Sequence, residues 1–355
     1  MQLLQINIIM IKDNRAYLNK IEFYITNVCN LNCDNCNRLN NYRFSGHQLW
    51  ADYADIYAEW AEKVDIGKIT ILGGEPTLNP SLIEWIEGIR KLWPTSKLDV
   101  LTNGTRLHNV LEKLYPVLLK NKATLSIATH NRQRHLEIEK YIIEGNISQA
   151  PFTYEYHGNF LSWVHDAYNV CKGESWPDIS TIDEFYGLPF EIQDECKNIH
   201  RIDPESYLKN SNSYTVIDKN NVNIGFSYGE EFVDAPLKYT GQNNFQVYNS
   251  NPTKAHAVCI SKTCHNFVKG KLYKCHHVAL LPEFIEQYQV NISDADQQLL
   301  NSYEPMTSDK DYKTIDKFID QMTKEIPQCK LCPSKLEKHF FQSDTKKIKI
   351  VKKNI

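Results

Sequence analysis

Three cysteines that fall within eight residues form the group in this sequence that is best suited to chemistry. Cys29, Cys33 and Cys36 have the spacing Cys-x3-Cys-x2-Cys. Three thiolates on one loop can hold three irons of a four-iron cluster and leave the fourth iron open to another ligand. Structural metal sites are usually closed by four protein ligands, whereas catalysis needs an open position. The alternatives are a zinc loop, which usually contains Cys-x2-Cys pairs, and three unrelated thiols.

The segment before these cysteines predicts a strand that positions them. Residues 21–26 alternate apolar and polar side chains and are rich in β-branched and aromatic types. The cysteine loop therefore leaves the carboxyl end of a strand, which is where α/β folds place their chemistry.

Alternating helices and strands are predicted after this first strand, and they imply βαβ units with a parallel sheet. The predicted helices show apolar residues at helical spacing, and the predicted strands are short apolar runs. The further strands cover 68–72, 98–101, 123–128 and 152–156, and the helices cover 47–64, 80–92, 107–120 and 132–144. A sixth strand is expected at either 214–217 or 223–228.

A second motif, Gly73-Gly74-Glu75-Pro76, follows the predicted second strand. Paired glycines after a strand let the backbone approach a ligand closely, because no Cβ atom stands in the way. An ordinary strand-to-helix turn is the alternative interpretation of these four residues.

The two motifs, in this order and on these elements, resemble those of the radical S-adenosylmethionine (SAM) enzymes. The resemblance covers roughly residues 20–160 and implies a partial (β/α)6 TIM-type barrel. In that family the triplet holds a [4Fe-4S] cluster whose open iron binds the amino and carboxylate groups of SAM. Reductive cleavage of SAM yields a 5'-deoxyadenosyl radical, and the Gly-Gly-Glu-Pro motif binds the SAM amino group. The family commonly has an aromatic residue before the third cysteine, where this sequence has Asn35.

Three further positions are similar to cofactor contacts of that family. Thr102-Asn103-Gly104 resembles the end of the family's third strand. Ser126 lies on the predicted fourth strand, where the family often places a polar residue near the SAM ribose, and His130 ends that strand. The resemblance therefore implies Asn103, Ser126 and His130 as cofactor contacts, against the alternatives of a strand serine and a loop histidine.

Five more cysteines lie near the carboxyl end of the chain, at Cys259, Cys264, Cys275, Cys329 and Cys332. Residues 265–274 predict a β-hairpin with Lys269-Gly270 as a two-residue turn. Counting outward from the turn places Cys264 opposite Cys275, and directly opposed residues have Cβ atoms about 4.5–5.5 Å apart. This register directs two thiols toward one metal site.

The same cysteines resemble the auxiliary-cluster domains of radical SAM enzymes, called twitch and SPASM. The matching pattern is Cys259-x10-Gly270-x4-Cys275 followed by Cys329-x2-Cys332, and it implies one auxiliary [4Fe-4S] cluster. Five thiols compete for four places: the family spacing favours Cys259, and the hairpin register favours Cys264. Both can be ligands if one of Cys329 or Cys332 is not. The thiol left over is a candidate hydrogen donor or proton acceptor to a substrate radical, or it has no role in the reaction. A zinc site is the alternative.

Composition limits the protein class. The chain has 355 residues, of which 42% are hydrophobic and 23% charged, as in ordinary globular proteins of one large and one smaller domain. The net charge of −3 argues against general nucleic-acid binding.

Clustered cysteines favour metal binding over disulfides and predict a reducing, cytoplasmic location. The sequence contains no run of about 18 apolar residues, so no membrane span is predicted. Cys171 and Cys196 have no partner pattern and are interpreted as isolated buried thiols.

The expected organisation is an N-terminal arm (1–20), a barrel with substrate-shaping loops (21–245), an auxiliary-cluster domain with the hairpin (246–340) and a basic tail (341–355). His276 and His277 follow a proposed ligand and are candidates for hydrogen bonds to the cluster's ligands.

The expected reaction is abstraction of a substrate hydrogen followed by net oxidation, with the auxiliary cluster accepting an electron. A redox-neutral epimerisation or rearrangement, a peptide-modifying enzyme and a non-enzymatic iron–sulfur or zinc protein are the alternatives. The expected partners are a flavodoxin- or ferredoxin-type electron donor and a substrate. Because only about 20 residues precede the first strand, a small molecule, sugar or nucleotide is favoured over a peptide.

Overall fold

The computed structural model describes most of the chain. The described residues are 14–33, 35–42, 44–144, 153–156, 213–218, 220–229, 231–233, 237–241, 244–290, 292–335 and 338–340. They divide into two compact units. The first unit contains the described residues up to Leu98 and those of 233–339, and the second contains those of 99–232 together with Phe340.

The secondary-structure elements of the described residues alternate as the sequence predicts, with further strands after the fourth helix. The strands are β1 (Ala16–Tyr24), β2 (Val64–Leu72), β3 (Lys97–Thr102), β4 (Ala123–Thr129), β5 (Thr153–Tyr156), β6 (Ser213–Ile217), β7 (Asn223–Tyr228), β8 (Glu231–Val233), β9 (Leu237–Gly241), β10 (Asn244–Val247), β11 (Asn266–Val268), β12 (Lys271–Tyr273) and β13 (Lys338–Phe340). The helices are α1 (Trp50–Lys63), α2 (Leu82–Leu92), α3 (Leu107–Lys120), α4 (Arg132–Glu144), α5 (Pro252–Val258), α6 (His276–Tyr288), α7 (Asp294–Asn301) and α8 (Tyr312–Gln321).

The sheet of the first unit has the strand order β12-β11-β1-β2. Strand β1 pairs in parallel with β2 on one side and with β11 on the other, where Phe23 lies opposite Phe267. Strand pairing thus joins residues 266–268 to the first strand, and the compact units do not coincide with the predicted segments 21–245 and 246–340.

The predicted hairpin forms between β11 and β12. Val268 pairs with Lys271, and the two turn residues Lys269 and Gly270 have φ angles of 49° and 74°. Positive φ at both positions defines the turn type that matches the twist of paired strands. Gly270 is required here for a second reason, because a Cβ atom would lie 2.8 Å from the Ile56 side chain.

Helix α1 holds this hairpin against the sheet. The Trp60 indole donates a hydrogen bond of 2.8 Å to the Gly270 carbonyl, and the Gly270 N–H donates one of 3.2 Å to the Tyr57 hydroxyl. Phe23 packs at 5.0 Å, between ring centroids, from both Tyr57 and Phe267. Because fully burying one such side chain contributes about 1.5–3 kcal/mol, this aromatic core is a main stabilising feature of the unit.

The described strands of the second unit follow the order β3-β4-β7-β6-β5. Both segments considered for the sixth strand are strands, and β7 is the one that pairs in parallel with β4. Strands β5 and β6 run antiparallel to their neighbours, unlike the parallel arrangement predicted for residues 152–156. Only a short turn links β6 to β7, with the Asp218 carboxylate accepting N–H groups from Asn220 and Val222, and such a short link permits only antiparallel pairing.

The predicted α/β class with a mostly parallel sheet is confirmed, and the four predicted helices correspond to α1–α4. Within the described ranges, no helix is both long and apolar enough to cross a bilayer. The basic tail, residues 1–13, Cys171 and Cys196 lie outside the described residues.

Candidate active site

The loop that leads from β1 into the three cysteines is in direct backbone contact with the Gly73–Pro76 motif. The Gly74 N–H donates to the Thr26 carbonyl at 2.7 Å, and the Glu75 N–H donates to the Val28 carbonyl at 2.8 Å. A Cβ atom on Gly74 would lie 2.4 Å from the Val28 carbonyl oxygen and 3.0 Å from Cβ of Cys29. The glycine therefore lets the cysteine loop and the end of β2 approach each other, a role that the sequence did not reveal.

Glu75 is fixed at the end of β2. Its side chain is fully buried, and its Oε1 accepts hydrogen bonds from the Thr77 backbone N–H at 3.1 Å and the Thr77 hydroxyl at 2.6 Å. These bonds cap the short 3-10 helix Pro76–Leu78. The motif is therefore preorganised beside the cysteine loop.

Hydrogen bonds and a special backbone conformation shape the cysteine loop. The Leu31 N–H donates to Sγ of Cys29 at 3.4 Å, and the Cys36 N–H donates to the Cys33 carbonyl at 3.3 Å. Asn35 has a φ of 56°, the left-handed conformation that asparagine tolerates better than most residues. The family's usual aromatic residue at this position is thus replaced by one that suits a tight turn.

Asn40 anchors the end of the loop. Its amide nitrogen donates to the Asn27 carbonyl at 2.6 Å and to the Tyr24 hydroxyl at 3.1 Å. The Cys36 thiol lies 3.9 Å from Oδ1 of the same side chain. The third cysteine is thereby tied back to the end of β1.

A buried ion pair follows the third cysteine. Arg38 donates to Oε2 of Glu22 at 2.8 Å, and the Asn266 amide donates to the same oxygen at 2.8 Å. Glu22 is only 6% exposed, although strand alternation predicts a solvent-facing polar residue there. Removing one partner of such a pair typically costs about 3–5 kcal/mol, since a charge is left buried. The pair links the cysteine loop to β1 and to the hairpin.

Four of the five C-terminal cysteines line one cavity, and they are Cys259, Cys275, Cys329 and Cys332. Lys274 and His277 lie in the same wall. Among the residues that the structure describes, no three histidine, cysteine or acidic side chains are positioned to chelate a single metal ion. The four thiols surround a shared space instead.

The sulfur atoms around this cavity accept hydrogen bonds. The Ser261 N–H donates to Sγ of Cys259 at 3.3 Å. Cys275 is the residue that precedes helix α6. Burial raises the pKa of Cys275 to about 11, whereas the backbone N–H groups of Val278 and His277 at the start of that helix act to lower it. N–H donors at a helix amino terminus stabilise the thiolate form that a metal requires.

Cys264 lies in different surroundings from Cys275. Strand pairing ends at Asn266 opposite Tyr273, and the Cys264 N–H bonds within a turn to the Ser261 carbonyl. Burial raises the pKa of Cys264, and the negative charge of Glu22 raises it further. The predicted register is thus present, but it stops before the two thiols.

The charges around the cavity fit an anionic metal cluster. Lys274 is only 5% exposed, and its ammonium donates to the Met322 carbonyl. Burial lowers the pKa of Lys274, while thiolates at Cys275, Cys329 and Cys259 act to raise it. In the described part of the chain no carboxylate forms an ion pair with Lys274. A buried cation needs an anionic partner, and a cluster held by four thiolates has a net negative charge.

The other predicted contacts lie in the second unit. Oδ1 of Asn103 accepts hydrogen bonds from the Thr105 N–H and hydroxyl, at 3.0 and 2.6 Å. Ser126 is partly exposed on β4, opposite Gly225. His130 Nδ1 lies 2.7 Å from the Gly229 carbonyl, and burial lowers the pKa of this histidine. Their roles in cofactor binding stay predictions.

Comparisons with known proteins identify relatives for part of the chain. The Radical SAM superfamily profile matches residues 23–150. A probable GTP 3',8-cyclase of Methanocaldococcus jannaschii is 32% identical over 204 residues, which cover 53% of this chain and 66% of that protein. One of Pyrococcus abyssi is 30% identical over 112 residues, covering 31% and 35%. The chain thus spans about two thirds of the first relative and about a third of the second.

Two solved structures also match. SuiB of Streptococcus suis bound to precursor peptide SuiA has a TM-score of 0.39 and 12% identity, covering 88% of this chain and 66% of that one. BtrN in complex with AdoMet and 2-DOIA has a TM-score of 0.26 and 20% identity, covering 33% and 49%.

Proposed function

We propose that this chain, which belongs to the radical SAM superfamily, uses SAM cleavage to remove a hydrogen atom from a substrate. Membership of the superfamily implies SAM and a [4Fe-4S] cluster as cofactors. The assignment of Cys29, Cys33 and Cys36 as the cluster's ligands is part of the proposal. The observation that supports it best is the backbone contact between this loop and the Gly73–Pro76 motif.

The residues of this chain hold and orient these cofactors. When bound, the cluster and SAM together supply the radical that abstracts hydrogen. The three thiolates would hold three irons and leave the fourth open, and Gly73, Gly74 and Glu75 at the end of β2 would contribute to the SAM site. Asn40 and the Arg38–Glu22 pair anchor the cysteine loop to β1 and to the residues that follow it.

A second [4Fe-4S] cluster is proposed at Cys259, Cys275, Cys329 and Cys332. Support comes from their shared cavity, the N–H donors to their sulfurs and the buried Lys274. Four protein thiolates close all four irons, so such a cluster carries electrons rather than binding substrate. Net oxidation of the substrate is therefore the favoured outcome, with a flavodoxin- or ferredoxin-type protein as the external electron donor.

Iron content separates the two possible ligand sets. Reconstituted wild-type protein is expected to bind about eight irons per chain, four in each cluster. Cys259→Ser is expected to bind about four, because one ligand is lost from the cavity. Cys264→Ser is its matched control and is expected to keep about eight. Iron and zinc are measured together by inductively coupled plasma mass spectrometry.

Two results would contradict the assignment. Loss of four irons in Cys264→Ser but not in Cys259→Ser would show that Cys264, and not Cys259, is the cluster ligand. About four irons plus one zinc in the wild type would replace the auxiliary cluster by a zinc site and leave the first cluster standing.

A redox-neutral reaction on a nucleotide is the second candidate function. It is favoured by the 32% identity to a protein named as a probable GTP 3',8-cyclase. In this case the substrate radical ends with a hydrogen atom returned to it or with a new ring. Cys264, which lies outside the proposed ligand set, is the candidate hydrogen donor, and the thiyl radical left on it would be reduced by one electron from the external donor and one proton from solvent.

Turnover in deuterated solvent separates these outcomes. Thiols exchange their hydrogen with water, so a product that gains deuterium at the reacting carbon identifies quenching by a thiol. A product that lacks two hydrogens relative to its substrate identifies oxidation. Mass spectrometry of reactions with a nucleotide and a sugar panel provides the measurement, and reactions without SAM are the control. Deuterium gain that persists in Cys264→Ala would exclude this cysteine as the donor.

A further inference from the structure

The cations near the two cysteine sets are compensated differently. Arg38, beside Cys36, is paired with the Glu22 carboxylate at 2.8 Å. Lys274, beside Cys275, has only the Met322 carbonyl as a hydrogen-bond partner for its ammonium in the described residues. The positive charge at the second set is thus not cancelled by a carboxylate, whereas the charge at the first set is.

His277 provides a second polar group at the same cavity. Its Nδ1 lies 3.3 Å from Sγ of Cys332. A thiolate can only accept hydrogen bonds, so with Cys332 as a metal ligand Nδ1 must carry the proton and donate. The His277 Nε2 atom is buried without a hydrogen-bond partner among the described residues, so the contact with Cys332 is the ring's hydrogen bond there, and the His276 ring packs edge-on against it at 4.2 Å between ring centroids.

We propose that Lys274 and His277 raise the reduction potential of the auxiliary cluster and thereby make it a better electron acceptor. The proposal rests on the function proposed above, because it requires a cluster at the four cysteines. One-electron reduction adds a negative charge to the cluster. A buried ammonium group and a hydrogen bond to a ligand sulfur both stabilise that added charge more than the oxidised state.

The neighbouring charges support this direction. Lys274 lies in the wall of the cavity that all four proposed ligands line, so its side chain is close to the place that the cluster would take. At 5% exposure little water screens this interaction. Lys330 lies between Cys329 and Cys332 in sequence, but its side chain is 36% exposed and lies 3.4 Å from Asp296. Its charge is therefore screened and paired, and it acts weakly on the cluster.

This contrast supplies a matched pair of variants, Lys274→Met and Lys330→Met. Both are made in full-length protein that also carries alanine at Cys29, Cys33 and Cys36, so only the auxiliary cluster titrates. Dithionite titration followed by electron paramagnetic resonance gives the midpoint potential. Lys274→Met is expected to shift the potential to more negative values, and Lys330→Met is expected to leave it unchanged. His277→Phe is expected to shift it in the same direction as Lys274→Met and to alter the resonance of the reduced cluster.

Iron content distinguishes the possible failures. If the background protein binds no iron at the second set, the auxiliary-cluster assignment is wrong and this inference is overturned with it, while the proposed SAM cleavage stands. If Lys274→Met keeps its iron and titrates at the unchanged potential, the inference is overturned while the cluster assignment stands. If Lys274→Met loses iron, Lys274→Gln replaces it, because glutamine keeps a donor for the Met322 carbonyl. Loss of iron in both variants would assign Lys274 a purely structural role and overturn its part in tuning the potential.

Discussion

Replacing Cys29, Cys33 and Cys36 together by alanine is expected to abolish formation of 5'-deoxyadenosine from SAM and to leave the fold largely intact. The three side chains lie on a partly exposed loop, outside the aromatic core around Phe23. Without thiolates no iron is held next to the Gly73–Pro76 motif, and the cleavage of SAM has no electron source. Chromatography of anaerobic reactions with dithionite measures the product, and thermal unfolding checks the fold.

The matched control is Cys264→Ala, which removes a thiol of the same unit outside both proposed ligand sets. This variant is expected to cleave SAM at the wild-type rate when no substrate is present. Continued 5'-deoxyadenosine production by the triple variant would show that the first cluster is assigned to the wrong cysteines.

Gly74→Ala is expected to remove most SAM cleavage, although glycine to alanine is the smallest possible change of side chain. The added Cβ atom would lie 2.4 Å from the Val28 carbonyl oxygen, which is backbone and has no rotamer to change. Overpacking of this kind typically costs about 1–3 kcal/mol, and here relief requires the cysteine loop to move away from β2. Iron content and 5'-deoxyadenosine formation are the measurements, and both should fall together.

Gly229→Ala provides the comparison for this change. No atom of the residues that the structure describes lies within 4 Å of the position its Cβ would take, so the same substitution is expected to be tolerated. Gly74→Ala with wild-type iron content and wild-type cleavage would mean that the contact between the two motifs is not needed for the site.

Local sequence patterns predict the first half of the fold well, because they act over a few residues. Helix α3 begins and ends where its apolar spacing predicts, at Leu107 and Lys120. The order of the later strands depends on pairing between distant segments, which periodicity does not encode. Strands β6 and β7 pair antiparallel because the short turn at Asp218 links them. The hydrogen bonds that the Asp218 carboxylate accepts in this turn are seen only in the structure.

In the candidate sites, too, local sequence patterns do not predict contacts between residues that are far apart in the chain. The hairpin register is correct from Val268 to Asn266, but side-chain direction beyond the paired residues depends on the turn at Ser261 and the start of helix α6. The spacing of the cysteines in the sequence therefore distinguishes the proposed ligand Cys259 from Cys264 less clearly than the surroundings of the two thiols in the structure do. Burial of Glu22 was missed because one of its partners, Asn266, lies 244 residues later in the chain.

The pairing of β1 with β11 has a consequence for how the protein is made. The hydrogen-bond partner of Trp60 is Gly270, which lies 210 residues further along the chain. The partner of Asn27 is Glu283, which lies 256 residues further along. At a synthesis rate of roughly 5–20 residues per second, one edge of β1 stays unpaired for about 10–50 s until β11 has been synthesised. An unpaired strand edge is a template for association with other chains. The nascent chain therefore carries its first cysteine loop beside an open strand edge, and the loop's anchors at Asn266 and Glu283 form only after those residues have been synthesised.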